Sequence, residues 1–228
     1  MSKKIIYVVF FAIFLVLSPW PARMSNLAGY FIWNLPKNEY YWDFRDGFPP
    51  NYSGWGDLKI VSEGIQLSDT HMSYCGVIFT PFQHNPEWGM ETLVKVTDID
   101  YHAGEMKGAI AILTRDSSKV NCESTFGIYP NTTIARCRHK INGIDEIGYH
   151  EPHDGGIIFT LPFKIQLNVW YKLRFVFYQG NLECYINGTK YFEKAGLSKS
   201  SVVYTQPHLG IHNGTTIFQY IRIWSLGS

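Results

Sequence analysis

Trp170 to Phe192 reads WYKLRFVFYQGNLECYINGTKYF, and its alternation decides the fold. Taken in steps of two, Tyr171, Leu173, Phe175 and Phe177 fall on one face. Trp170, Lys172, Arg174 and Tyr178 fall on the other, the mark of a strand with one buried side. Gln179-Gly180-Asn181 is a polar break, after which Leu182, Cys184 and Ile186 oppose Glu183 and Tyr185. Asn187-Gly188 tolerates the positive φ that both central residues of a type I′ turn require, and Thr189 opens a third strand. Three antiparallel strands in so short a stretch form a meander, and its apolar face demands a second layer.

The same grammar runs outward from the meander. Strands are predicted near Tyr41–Phe44, Leu58–Val61, Ile65–Leu67, Gly76–Thr80, Met90–Thr97, Gly108–Thr114, Cys122–Ile128, Thr133–His139, Glu146–His150, Ile157–Leu167, His208–His212 and Ile217–Trp224. Gly, Pro, Asn or Asp punctuates almost every break, as at Glu63-Gly64, Pro130-Asn131 and Asn213-Gly214. Ala195 to Ser200 reads as a helical turn. Many short strands with regular turn signals and no amphipathic helix describe an all-β sandwich of two antiparallel sheets.

The totals agree with one large domain or two small ones: 228 residues, 46% hydrophobic and 16% aromatic. A net charge of +1, with only 17% charged residues, leaves no electrostatic footprint for nucleic acid. No repeat or low-complexity linker divides the sandwich. Residues 1–28 are expected to be a signal peptide or signal anchor, 29–39 a lead-in, and 40–228 the sandwich. The N-terminal reading rests on Lys3 and Lys4 ahead of an apolar run from Ile5 to Leu17, with Ser18-Pro19-Trp20-Pro21 after it. No clean small-x-small cleavage site follows, so cleavage and retention both stay open; in either case the lysines remain cytoplasmic and the bulk of the chain is exported.

Four N-x-[ST] sequons, at Asn51, Asn131, Asn187 and Asn213, fall at or beside predicted turns and fit an exported glycoprotein. Four cysteines without a CxxC motif argue against zinc, leaving two disulfides or four buried thiols. A hairpin centred between Tyr129 and Pro130 would set Cys122 opposite Cys137, and that pairing leaves Cys75 with Cys184.

Three segments carry a resemblance: WDFRDGFPPNYSGWGDLKIVSEGIQLSD from Trp42, GMETLVKVTD from Gly89 with GAIAILTRD from Gly108, and the meander with PHLGIHNGTTIFQYIRIWS ending at Ser225. In this order they resemble the concanavalin A-like lectin/glucanase superfamily, its laminin-G-like and sugar-hydrolase-associated branch above all. The resemblance implies a jelly-roll β-sandwich of two curved sheets with any ligand on the concave one. The E-x-D-x-E carboxylate pattern of the glucanases is absent; Asp98-Ile99-Asp100 reads as a turn, and Asp145-Glu146 point to opposite faces of a strand. Many relatives bind a structural calcium, but Gln219 stands where they often have aspartate. Asp43 or Asp46 with backbone oxygens would be the remaining ligands, and no cofactor is predicted.

His150-Glu151-Pro152-His153-Asp154 reads as a polar loop. His208 and His212, four apart on a strand, lie too far apart to share a metal. The ligand-binding candidates are therefore aromatic rings near turns, Trp55, Trp88 and Tyr129, with Asp57, Arg115, Asp116 and Arg136 as hydrogen-bonding neighbours. The expectation is an exported, non-catalytic module that binds glycan and is tied to the membrane by its N-terminal segment. The alternatives are a structural subunit that binds a cell-surface protein, and a glycoside hydrolase without the usual motif.

Overall fold

The computed structural model describes residues 39–79, 82–83, 87–99, 110–116, 123–141, 143–147, 157–199 and 204–226, with 70–74, 82–83, 110–116 and 204–205 described by backbone alone. The N-terminal signal or anchor, Cys122, and the loop His150–Asp154 lie outside the described residues. Among those residues no helix is long and apolar enough to cross a membrane.

In chain order the strands are β1 Glu39–Asp43, β2 Ser53–Trp55, β3 Asp57–Val61, β4 Gly64–Ile78, β5 Phe82–Gln83, β6 Trp88–Ile99, β7 Ile110–Asp116 and β8 Glu123–Tyr129. They continue as β9 Ile134–Ile141, β10 Ile144–Asp145, β11 Ile157–Thr160, β12 Trp170–Tyr178, β13 Asn181–Ile186, β14 Thr189–Lys194 and β15 Tyr204–Ser225. A 3-10 turn, Phe44–Asp46, follows β1. Every pairing is antiparallel.

Two sheets result, joined by shared strands. The first runs β9-β8-β7, the first half of β15, the second half of β4, then β2, with β10 and β11 on the far side of β9. The second runs β14-β13-β12-β6 and the second half of β15, which then pairs with β1 and with the first half of β4; β3 completes it. The meander behaves as its alternation dictates: Tyr171, Leu173, Phe175 and Phe177 are buried together with Leu182, Cys184 and Ile186, and Asn187 turns at φ 50°. Opposite them the first sheet contributes Phe126, Ile128, Ala135, Cys137 and Leu209. Each aromatic buried here contributes about 1.5–3 kcal/mol.

Several local expectations are corrected. His208–His212 and Ile217–Trp224 are one strand; Asn213-Gly214 is a bulge inside β15, where the register shifts between His212 and Gly214. Ile65–Leu67 and Gly76–Ile78 likewise belong to one strand, β4. The strand from Ile157 stops at Thr160, because Pro162 follows and has no N–H for a ladder. No helical turn forms at Ala195–Lys199, where the backbone is irregular.

The β8–β9 hairpin turns two residues later than expected. Tyr129 pairs with Ile134, Pro130 and Asn131 enter the turn, and Thr132 closes it by donating from Oγ1 to the Tyr129 carbonyl at 2.7 Å. Cys137 consequently stands opposite Phe126, not opposite Cys122. Cys75, Cys137 and Cys184 are free and buried. Cys75 sits apart from Cys184, its thiol directed at the Asp57 carbonyl 3.7 Å away, so the expected Cys75–Cys184 bond is not formed.

Candidate ligand-binding face

The outward face of the first sheet has an unusual floor. Trp55 pairs with Gly76, Gly76 with Gly210, and Gly210 with Ala111. One residue beyond the Ile112–Phe126 pair, Ala111 comes into line with Gly127, which pairs with Arg136. Four adjacent strands thus present Gly, Gly, Ala and Gly in one row running across the sheet. The alternate row, Val77, Leu209 and Phe126, belongs to the hydrophobic core between the sheets. Strand alternation therefore puts the glycine row on the other side of the sheet, where Gly76, Gly127 and Gly210 are themselves buried. None of Gly76, Gly127 and Gly210 is among the glycines with positive φ, so the backbone does not call for them. Glycine in the interior of a strand costs stability, and it marks a place where something approaches the sheet closely.

The ends of the row differ in character. Trp55 is 37% exposed, and its ring lies 4.8 Å from that of His208, which is itself buried. Arg136, at the other end, is 7% exposed, and Tyr129 on the same face is 3% exposed. At about 4.8 Å per strand step, the five steps from Trp55 to Arg136 span about 24 Å, enough for several units of an extended polymer.

Of the sequence candidates, Trp55, Tyr129 and Arg136 share this face, and the backbone of Arg115 pairs with Gln206 on one side and Glu123 on the other. Asp116 pairs with Thr205 beside it. Asp57 is exposed at the start of β3, two residues from Trp55. Trp88 does not belong. It is 5% exposed inside the sandwich, edge-on to Phe175 at 4.9 Å and stacked near Phe177, because its position on β6 points inward. The glycine floor was missed from sequence; its signal was three glycines inside otherwise regular strand patterns.

Several described carboxylates are already paired. Arg138 donates to Asp145 at 2.8 Å and lies 3.5 Å from Glu123, so one guanidinium holds both acids. Asp43 accepts from Arg45 through both oxygens, at 2.9 and 3.1 Å from Nε, which occupies the carboxylate proposed for calcium. Among the described residues no group of three His, Cys, Asp or Glu side chains is placed to hold a metal ion.

The sequons fall into two groups. Asn51, Asn131 and Asn187 are exposed, each with positive φ. Asn213 is 6% exposed at the β15 bulge, its N–H donating to Asp69 at 3.0 Å, so it is not presented as an acceptor.

The outward face of the second sheet is organised differently. Tyr220 donates to Glu91 at 2.7 Å, Arg222 pairs with Glu39 and covers Trp224 at 5.2 Å, Arg174 covers Tyr185 at 4.2 Å, and Lys190 holds Glu183 at 2.9 Å. Its polar and aromatic groups satisfy one another across neighbouring strands, as on a solvated face.

Strand order and register define a concanavalin A-like jelly-roll sandwich, and comparison with solved structures agrees. The β-glucanase of Bacillus licheniformis superimposes with a TM-score of 0.59 at 12% identity, over 83% of this chain and 99% of that one. The carbohydrate-binding module CBM66 of Bacillus subtilis gives 0.53 at 13% identity, over 74% and 92%. The exoplasmic/lumenal domain of VIP36, solved with Ca2+ and Man3GlcNAc, gives 0.58 at 13% identity, over 85% and 90%. No family model matches the sequence. No curated protein matches it either, so the likeness is one of fold.

Proposed function

We propose that this chain is an exported, membrane-associated or secreted module that binds an extracellular glycan without cleaving it, along the glycine row of the first sheet. The observation that carries the reading is the alignment of Gly76, Gly210, Ala111 and Gly127 across four strands, with Trp55 exposed at one end. A floor without side chains lets a flat, hydroxyl-rich polymer lie close to the sheet, and an indole stacks on a sugar's apolar face while polar neighbours fix its orientation. The absence of cleavage is supported by Arg138, which holds Glu123 and Asp145 together; retaining hydrolysis needs one carboxyl protonated and a second free to attack. The fold neighbours include proteins named for carbohydrate binding and for glucan cleavage, which keeps glycan as the ligand class.

The test is a glycan array probed with the full chain in mild detergent. Selective binding is expected. Trp55→Ala and Gly210→Val should each weaken it about tenfold or more, whereas Trp224→Ala on the opposite face should leave it unchanged. Valine suits a strand, so Gly210→Val raises the floor with a residue whose backbone preference matches the site. Equal binding by all three variants would remove the glycine row from the site. An empty array from folded protein would shift the reading to a protein-binding subunit, and shortened oligosaccharides would make it a hydrolase.

A further inference from the structure

Cys137 and Cys184 belong to different sheets and are both fully buried. Cys137, on β9, pairs with Phe126 of β8; Cys184, on β13, pairs with Phe175 of β12. The rings of Phe126 and Phe175 meet across the sandwich at 6.4 Å. On the other side, Phe159 of β11 stacks on Phe192, the β14 partner of Cys184, at 5.2 Å. The two cysteines stand between these inter-sheet contacts, and Cys137 lies close enough to Cys184 to raise the cost of ionising it.

We propose that Cys137 and Cys184 are oxidised to a disulfide that joins the two sheets through the core. The pair-mates of the two cysteines, Phe126 and Phe175, already meet across the sandwich, which places one small thiol from each sheet at the same point of a core built from large aromatic rings. Inter-sheet disulfides of this type bind other β-sandwiches together. The chemistry is an exchange: both S–H bonds are lost, one S–S bond forms, and two electrons and two protons pass to a disulfide-class oxidant, which leaves as two thiols. Burial raises the Cys184 thiol well above its ordinary range, which makes it a poor nucleophile once the sandwich has closed. The bond therefore forms during folding, before the sheets seal. Cys75, directed at the Asp57 carbonyl, stays a thiol.

The test refolds the full chain from the reduced, denatured state in a mixture of reduced and oxidised glutathione, so it depends on neither export nor glycan binding. After free thiols are blocked, non-reducing peptide mapping is expected to return one cross-linked peptide joining Cys137 to Cys184. Reduction should lower the melting temperature by roughly 10 °C, as expected for closing a loop of this length. The double variant Cys137→Ala/Cys184→Ala should melt at the same temperature with and without reductant, and Cys75→Ala should keep the wild-type shift. Linkage of either cysteine to Cys75 or Cys122, or both recovered as blocked free thiols from folded protein, would overturn the proposal. Mapping uses the wild-type chain, so its result stands even where a variant fails to fold.

Discussion

Trp88 lies edge-on to Phe175 at 4.9 Å deep in the sandwich, and Trp88→Ala is expected to cost about 3–5 kcal/mol. Trp55→Ala should cost only about 1 kcal/mol, since the ring is exposed and packs mainly on His208. Urea denaturation of the two variants separates these roles, and the same preparations report on glycan binding. His139 offers a second test. It is buried, stacks on Phe177 at 4.9 Å, and bonds through Nδ1 to Ser124 Oγ at 2.8 Å. Burial lowers its pKa below 6.5, against the opposing pull of the Ser198 carbonyl and of Glu146 at 3.9 Å. The folded chain thus takes up this proton less readily than the unfolded chain. Its contribution to stability is complete above the unfolded value and is lost as pH falls through the lowered folded one. The urea midpoint should drop between about pH 7.5 and about pH 5.5, and His139→Gln should flatten that drop.

β15 is where reading from sequence and folding in three dimensions diverge most. Asn-Gly is equally suited to ending a hairpin and to a bulge inside a strand, because both need positive φ at asparagine, and Asn213 adopts 51°. Only the pairing of both halves of β15 with β4 selects the bulge, and that partner lies far away in sequence. At Asn187-Gly188 the same dipeptide is a true turn, since β13 and β14 pair directly across it. The bulge leaves little room: a Cβ on Gly214 would fall 2.4 Å from the Asp98 carbonyl oxygen. Gly214→Ala should therefore destabilise by about 1–3 kcal/mol, read as a lower melting temperature. Strand alternation was legible wherever one face is buried, as in β12, whereas the length of β11 was set by Pro162.

For the whole molecule, sharing β4 and β15 between the sheets means that neither sheet can open alone. Fluorescence from Trp55 on the first sheet and Trp88 in the core of the second should report coincident denaturation curves, and separate midpoints would show independent sheets. The proposed face could be read from sequence only in part. Aromatic residues near turns suggested Trp55 and Tyr129, with Arg136 as a polar neighbour, but the glycine row exists only through the register of strands distant in the chain. Trp88 misled because its neighbouring turn signals say nothing about which face of β6 it occupies.

The pairing of β1 with the end of β15 also decides how the sandwich carries load. Glu39 lies across from Trp224 and Asp43 across from Tyr220, so the first strand begins beside the point where the last one finishes. Tension applied through these two ends pulls along the line that separates the strands rather than along their length. The ladder then peels rung by rung, starting where Arg222 holds Glu39, and each rung resists alone. Stretched between Glu39 and Ser225, the sandwich is a zipper fastened at its open end.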